Sequence, residues 1–210
     1  MFFKDRDVLF VHIPKCGGNT VMRYFDVWHG DPKEPMHYKL HRYENIDQKK
    51  YNRSFKFTFV RNIFQQAVSL FEYIKNHVDE LKYYNFEKFI FSNNRTILGL
   101  HEDFRHLKFI NNKKGKLDID YIGDINNPLV HFENICKKIN YPFHDKIKRA
   151  NRTVFKPYTD FLNDRIINFM QEKFKEEIEF FGYEPYNLKS IKNVGFIKNK
   201  LSKKNIIKFL

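Results

Sequence analysis

A three-layer α/β sandwich around a mainly parallel sheet is the fold this sequence predicts, and three observations lead to it. Residues 8–13 form a nearly continuous apolar run, as expected of a parallel strand buried on both faces, and residues 20–27 follow with helical spacing. Residues 55–60 are a second run of aromatic and β-branched side chains. They enter a segment, 64–76, in which Phe64, Ala67, Val68, Phe71 and Ile74 mark one apolar helix face. Later segments keep the alternation of strands with helices, the pattern of an α/β protein.

The remaining elements follow in order. Residues 28–54 are polar, with Pro32 and Pro35, and read as a loop holding one helical segment near 41–49. Residues 85–100 look helical with a break. The stretch LKFINNKKGKLDIDYIGDI resembles two short strands joined by a turn at Lys114 and Gly115. Residues 132–139 and 164–181 are amphipathic helices, the second stopped by Gly182.

A chain of 210 residues suits one well-packed core, so one domain is expected over residues 1–186, with a basic tail or helix over 187–210. The formal charge of +13 points to an anionic partner. Seven lysines and no acid lie in 187–210, which leaves the body at about +6. Ile206, Ile207 and Leu210 would give that tail an apolar edge, as a solvated terminal helix or as a weak membrane-surface contact. Cys16 and Cys136 are too few for a disulfide framework and lack metal-ligand spacing, which fits a reducing compartment. The N-terminal residues carry charges at Lys4, Asp5, Arg6 and Asp7, so neither a signal peptide nor a membrane span is read there, and a cytoplasmic setting is expected.

The chemistry concentrates in VLFVHIPKCGGNTVMRYF. A strand that delivers a glycine turn to a helix start gathers unpaired backbone N–H groups, and anions bind to such groups. Gly17 and Gly18 let the backbone curl closely, Asn19 and Thr20 add side-chain donors, and Lys15 supplies a full positive charge. In a Walker A loop the lysine follows the glycines; here Lys15 precedes them in a shorter loop, which excludes that reading.

These residues resemble the carbohydrate sulfotransferases of the heparan-2-O, chondroitin and HNK-1 type, including small bacterial and viral members. The first motif of that family, PKxGGTS after a strand, is similar to Pro14 through Thr20; the second, FVRDPxxRxxSxY, is similar to FVRNIFQQAVSLF. DYIGDINNPLVHFENICKKI and the segment from NRTVFKPYTDF to FGY resemble its later parts, so the resemblance spans about residues 8–185. It implies a P-loop-like nucleotide-binding core and the sulfuryl donor PAPS, 3′-phosphoadenosine 5′-phosphosulfate, with adenosine 3′,5′-bisphosphate as product and no metal of its own. Lys15, Cys16, Gly17, Gly18, Asn19 and Thr20 would then hold the 5′-phosphosulfate, while Arg61 and Ser69 would hold the 3′-phosphate. Asn62 and Ile63 stand where the family has Asp-Pro, Gln66 where it has a second arginine, Asn19 where it has Thr or Ser, and Asp124 where arginine is usual. Arg149, Arg152 and Lys156 are basic residues that could offset the last change.

Lys15 would stabilise the leaving phosphate, and a histidine would take the proton of the acceptor hydroxyl. In the family this base comes from the segment between the two motifs, where His37 and His41 lie, with the alignment favouring His37; His12 reads as a strand residue. The implied acceptor is a carbohydrate or glycolipid. Two other readings stay open: a nucleotide-dependent kinase of atypical loop type, and a basic nucleic-acid-binding module suggested by the interleaved aromatics of KYYNFEKFIF. Those aromatics have the spacing of a helix core, so nucleic acid is not the expected partner.

Overall fold

A computed structural model describes residues 1–27, 37–147, 156–189 and 191–197. In chain order its elements are β1 (Val8–Val11), α1 (Gly18–Tyr24), α2 (Leu40–Ile46), α3 (Gln48–Arg53), β2 (Phe55–Val60), α4 (Ile63–Lys75), α5 (Phe86–Ile90), α6 (Arg95–His101), α7 (His106–Ile110), β3 (Tyr121–Asp124), α8 (Pro128–Ile139), α9 (Asp164–Lys173), α10 (Lys175–Phe181) and β4 (Gly195–Phe196). The class is α/β, with a four-stranded, mostly parallel sheet in the order β1-β2-β3-β4. The chain divides into two compact units: Met1–Val60, Leu107–Asn151 and Asn193–Leu210 form the first, Arg61–His106 and Arg152–Lys192 the second.

The first unit holds the sheet. β1 runs parallel to β2 with Phe10 opposite Phe57, β2 parallel to β3 with Phe57 opposite Tyr121, and β4 antiparallel to β3 with Gly195 opposite Ile122. Because side chains alternate along a strand, Val8, Phe10, Phe57, Phe59 and Tyr121 share one face. They pack with Val21, Met22 and Tyr24 of α1 and with Phe132, Ile135 and Cys136 of α8. The alternate residues Leu9, Val11, Thr58, Val60 and Ile122 are buried as well, which is why these strands read as unbroken apolar runs. Two polar side chains inside β2 are satisfied locally. The Thr58 hydroxyl donates to the Val11 carbonyl at 2.7 Å. Lys56 reaches Asp118 at 3.4 Å over the ring of Tyr51, whose hydroxyl donates to the other Asp118 oxygen at 2.5 Å.

In the second unit Asn62 opens α4: its side-chain oxygen accepts from Phe64 N at 3.0 Å and its amide donates to the Glu184 carbonyl at 2.8 Å. The apolar face of α4 is buried, with the Phe71 ring edge-on to Phe86 and tilted against Phe89 of α5. α10 ends at Gly182, whose φ of 63° is the left-handed conformation of a helix stop.

Several elements differ from the sequence reading. The first half of the expected 107–125 strand pair is helix α7, since His106, Phe109 and Ile110 are buried at i, i+3 and i+4. Only an isolated bridge between Asn111 and Leu117 precedes β3. The single helix over 164–181 is two, α9 and α10, meeting at the buried Phe174. The 187–210 segment contains strand β4 rather than helix within its described part, and residues 198–210 lie outside the described residues. Among the described residues no helix is long and apolar enough to cross a membrane.

Candidate functional site

The turn between β1 and α1 lies at the C-terminal end of a parallel strand, where α/β proteins bind ligands. Its backbone alternates in hand. Lys15 has φ 60° and Gly17 φ 79°, both left-handed, and Gly18 begins the helix. A left-handed residue followed by a right-handed one turns successive N–H groups toward a common point, an anion-binding concavity. Inside the turn, Cys16 N donates to Ile13 O at 3.3 Å and Thr20 N to Gly17 O at 2.9 Å. Those two residues therefore shape the turn with their main chains. No side chain caps α1, and the N–H groups of Gly17, Gly18 and Asn19 have no acceptor among the described residues. Lys15 and Asn19 are half-exposed, while Cys16 and Thr20 are buried. α1 has only seven residues, so its dipole adds little and the local N–H groups and the Lys15 charge dominate.

The two glycines serve packing as much as curvature. A Cβ on Gly17 would run into Ile125, which follows β3, and a Cβ on Gly18 would run into the imidazole of His12. The room a side chain would take is thus filled by the protein itself. His12, read from sequence as an ordinary strand residue, stands under the turn.

His12 is 4% exposed, and its Nδ1 has no hydrogen-bond partner among the described residues. Its ring meets that of His37 edge-on, centroids 4.2 Å apart, and His37 Nδ1 lies 3.3 Å from the His12 carbonyl oxygen. Burial holds the His12 pKa well below its ordinary value, and the neighbouring His37, the N-terminal amine and Lys15 push the same way. His37 is exposed on one side, yet burial of its inner side lowers its pKa; the bond to His12 works against this and the Lys15 charge works with it. The structure thus brings His37, His12, Lys15 and Gly18 together. His41 is exposed on α2, and its imidazole makes no hydrogen bond among the described residues. A polar residue at the end of an apolar parallel strand was the signal that could have singled out His12.

The other candidates fall elsewhere. Arg61 and Ser69 belong to the second unit, both half-buried, with Ser69 on α4 and its hydroxyl making no hydrogen bond among the described residues. Gln66 is fully buried: its amide donates to Asp103 O at 3.1 Å and its oxygen lies 2.6 Å from His106 Nε2. Asp124 closes the turn after β3, accepting from Asn126 N at 2.9 Å. Lys156 is exposed, and Arg149 and Arg152 lie outside the described residues. No group of His, Cys, Asp and Glu with metal-binding geometry occurs among the described residues.

Comparison with protein-family models, with curated proteins and with solved structures yields no match to this chain.

Proposed function

We propose that the chain is a sulfotransferase that moves a sulfuryl group from PAPS to a hydroxyl of an acceptor, a carbohydrate or glycolipid on the family resemblance. One arrangement carries the reading: Lys15, three uncapped N–H groups and the His12–His37 pair meet at a single strand-end turn. In this reading β1, the turn and α1 are the P-loop-like nucleotide-binding core of a three-layer sandwich.

The N–H groups of Gly17, Gly18 and Asn19 and the Asn19 side chain would hold the 5′-phosphosulfate, with Cys16 and Thr20 fixing the turn. Arg61 and Ser69 are the proposed partners of the 3′-phosphate, on the resemblance of their segment to the second motif. The donor, when bound, supplies the sulfuryl group: the acceptor oxygen bonds to sulfur while the bond from sulfur to the 5′-phosphate oxygen breaks, leaving adenosine 3′,5′-bisphosphate. Lys15 neutralises charge that gathers on the leaving phosphate. His37, neutral near pH 7 because its pKa is lowered, takes the proton of the acceptor hydroxyl.

Calorimetry with adenosine 3′,5′-bisphosphate tests the reading. The expected result is one-to-one binding by the wild type, weakened about tenfold or more in Lys15→Ala and in Arg61→Ala, since each removes a charge-assisted contact. No binding by the wild type overturns it. Preference for ATP would install the kinase reading instead, and strongly salt-dependent binding to any DNA or RNA would install the nucleic-acid reading.

A further inference from the structure

We infer that His12 positions His37 as a base: its main-chain carbonyl selects which ring nitrogen of His37 carries the proton, and its imidazole covers one side of the His37 ring. The inference rests on the reading of His37 as the proton acceptor of the proposed reaction.

A carbonyl oxygen only accepts, so the 3.3 Å contact from His37 Nδ1 to the His12 carbonyl puts the hydrogen on Nδ1 and leaves the lone pair on Nε2. Histidine in water prefers the opposite tautomer, so the contact selects the minor form. His37 Nε2 has no partner among the described residues, and His37 is exposed, so the basic nitrogen is open to an acceptor hydroxyl. The His12 ring is held in turn. It lies against Gly18 on one side and meets His37 at an interplanar angle of 62° on the other. The turn proposed to grip the donor and the base proposed to activate the acceptor therefore share one wedge, and a displacement of Gly18 is passed to His37 through His12.

The charged groups facing the pair are Lys15 from the turn and, toward His12, the N-terminal amine. Both are cations and oppose a second positive charge, as does burial. The pair is neutral near pH 7, and the proton that reaches His37 comes from a bound hydroxyl.

Long-range proton–nitrogen correlation spectra of the ligand-free wild type, labelled with nitrogen-15 histidine, read the tautomer directly. The expected pattern is a protonated Nδ1 and an unprotonated Nε2 for His37, with its titration midpoint below the ordinary 6.5. His12→Ala uncovers the ring and should move that midpoint up toward 6.5, while the main-chain carbonyl, which this variant keeps, holds the tautomer. His12→Phe keeps a ring against His37 and should leave the midpoint low. An Nε2-protonated His37 in the folded wild type overturns the inference, as does a midpoint unmoved in a folded His12→Ala. Should His12→Ala fail to fold, the wild-type tautomer and His12→Phe decide. None of these spectra needs donor or acceptor, so failure here is distinguishable from failure of the sulfotransferase reading, which calorimetry reports.

Discussion

The imidazole of His12 occupies the space that a Cβ on Gly18 would need. Alanine has the better helix propensity, by about 1 kcal/mol, and Gly18 is the first residue of α1. Overpacking outweighs that gain, so Gly18→Ala is expected to destabilise the protein by about 1–3 kcal/mol. Gly99 in α6 is the control, because a Cβ there meets nothing within 4 Å. Gly99→Ala should stabilise by about 0.5–1 kcal/mol. Urea unfolding midpoints moving in the same direction for both variants would contradict the packing role of His12.

Gln66 fills a position where the resembled family has arginine, and its bonds account for the difference. Its amide donates to Asp103 O, so its oxygen faces His106 Nε2, which must donate; His106 Nδ1 then accepts from the Tyr183 hydroxyl at 2.8 Å. Gln66→Leu leaves a buried N–H and a carbonyl without this partner and should cost roughly 2 kcal/mol or more. A stability within about 0.5 kcal/mol of wild type, by the same urea titration, would contradict this network.

Acid should destabilise the protein well before its carboxylates titrate. Burial lowers His106 to about 3 and His131 to about 4; His101 is lowered to about 4 by burial and then by the Lys173 charge, whose ammonium donates to His101 Nδ1 at 2.8 Å. The unfolded chain takes up protons at these histidines below about pH 6.5, whereas the folded chain does not. Their contribution is therefore fully present above pH 6.5 and is lost as the pH falls toward 4, by on the order of a few kcal/mol in sum. Unfolding free energy measured from pH 7.5 to 4.5 should bend downward near 6.5. A flat profile down to pH 5 would rule out neutral buried histidines.

His37 and His41 differ in their surroundings, and turnover should follow. His37→Ala is expected to lower transfer of labelled sulfate from PAPS by about a hundredfold or more. His41→Ala, exposed on α2, should leave it near wild type. Equal loss in both would remove the assignment of the base to His37.

Local pattern was sufficient for much of this protein. The apolar runs of β1 and β2, the apolar stripe of α4 and the stop at Gly182 are short-range features, because strand and helix periods and glycine's left-handed freedom act within a few residues. The Lys15 to Thr20 turn was legible for the same reason. What the order of residues could not decide depends on partners distant in the chain. β4 exists because Gly195 and Phe196 pair with β3, and α7 was misread as strand because so short a run becomes helix only through the burial of Phe109 and Ile110. Gly17 and Gly18 read as letting the backbone curl closely, and only tertiary packing sets Ile125 and His12 where a side chain on either would go. Gln66 and Asp124, which look like departures in a binding motif, are held by a buried histidine network and a turn. The choice of His37 over His41 as the histidine beside the turn, and the place of His12 beneath it, are set by contacts 25 residues apart in sequence, which no local periodicity encodes.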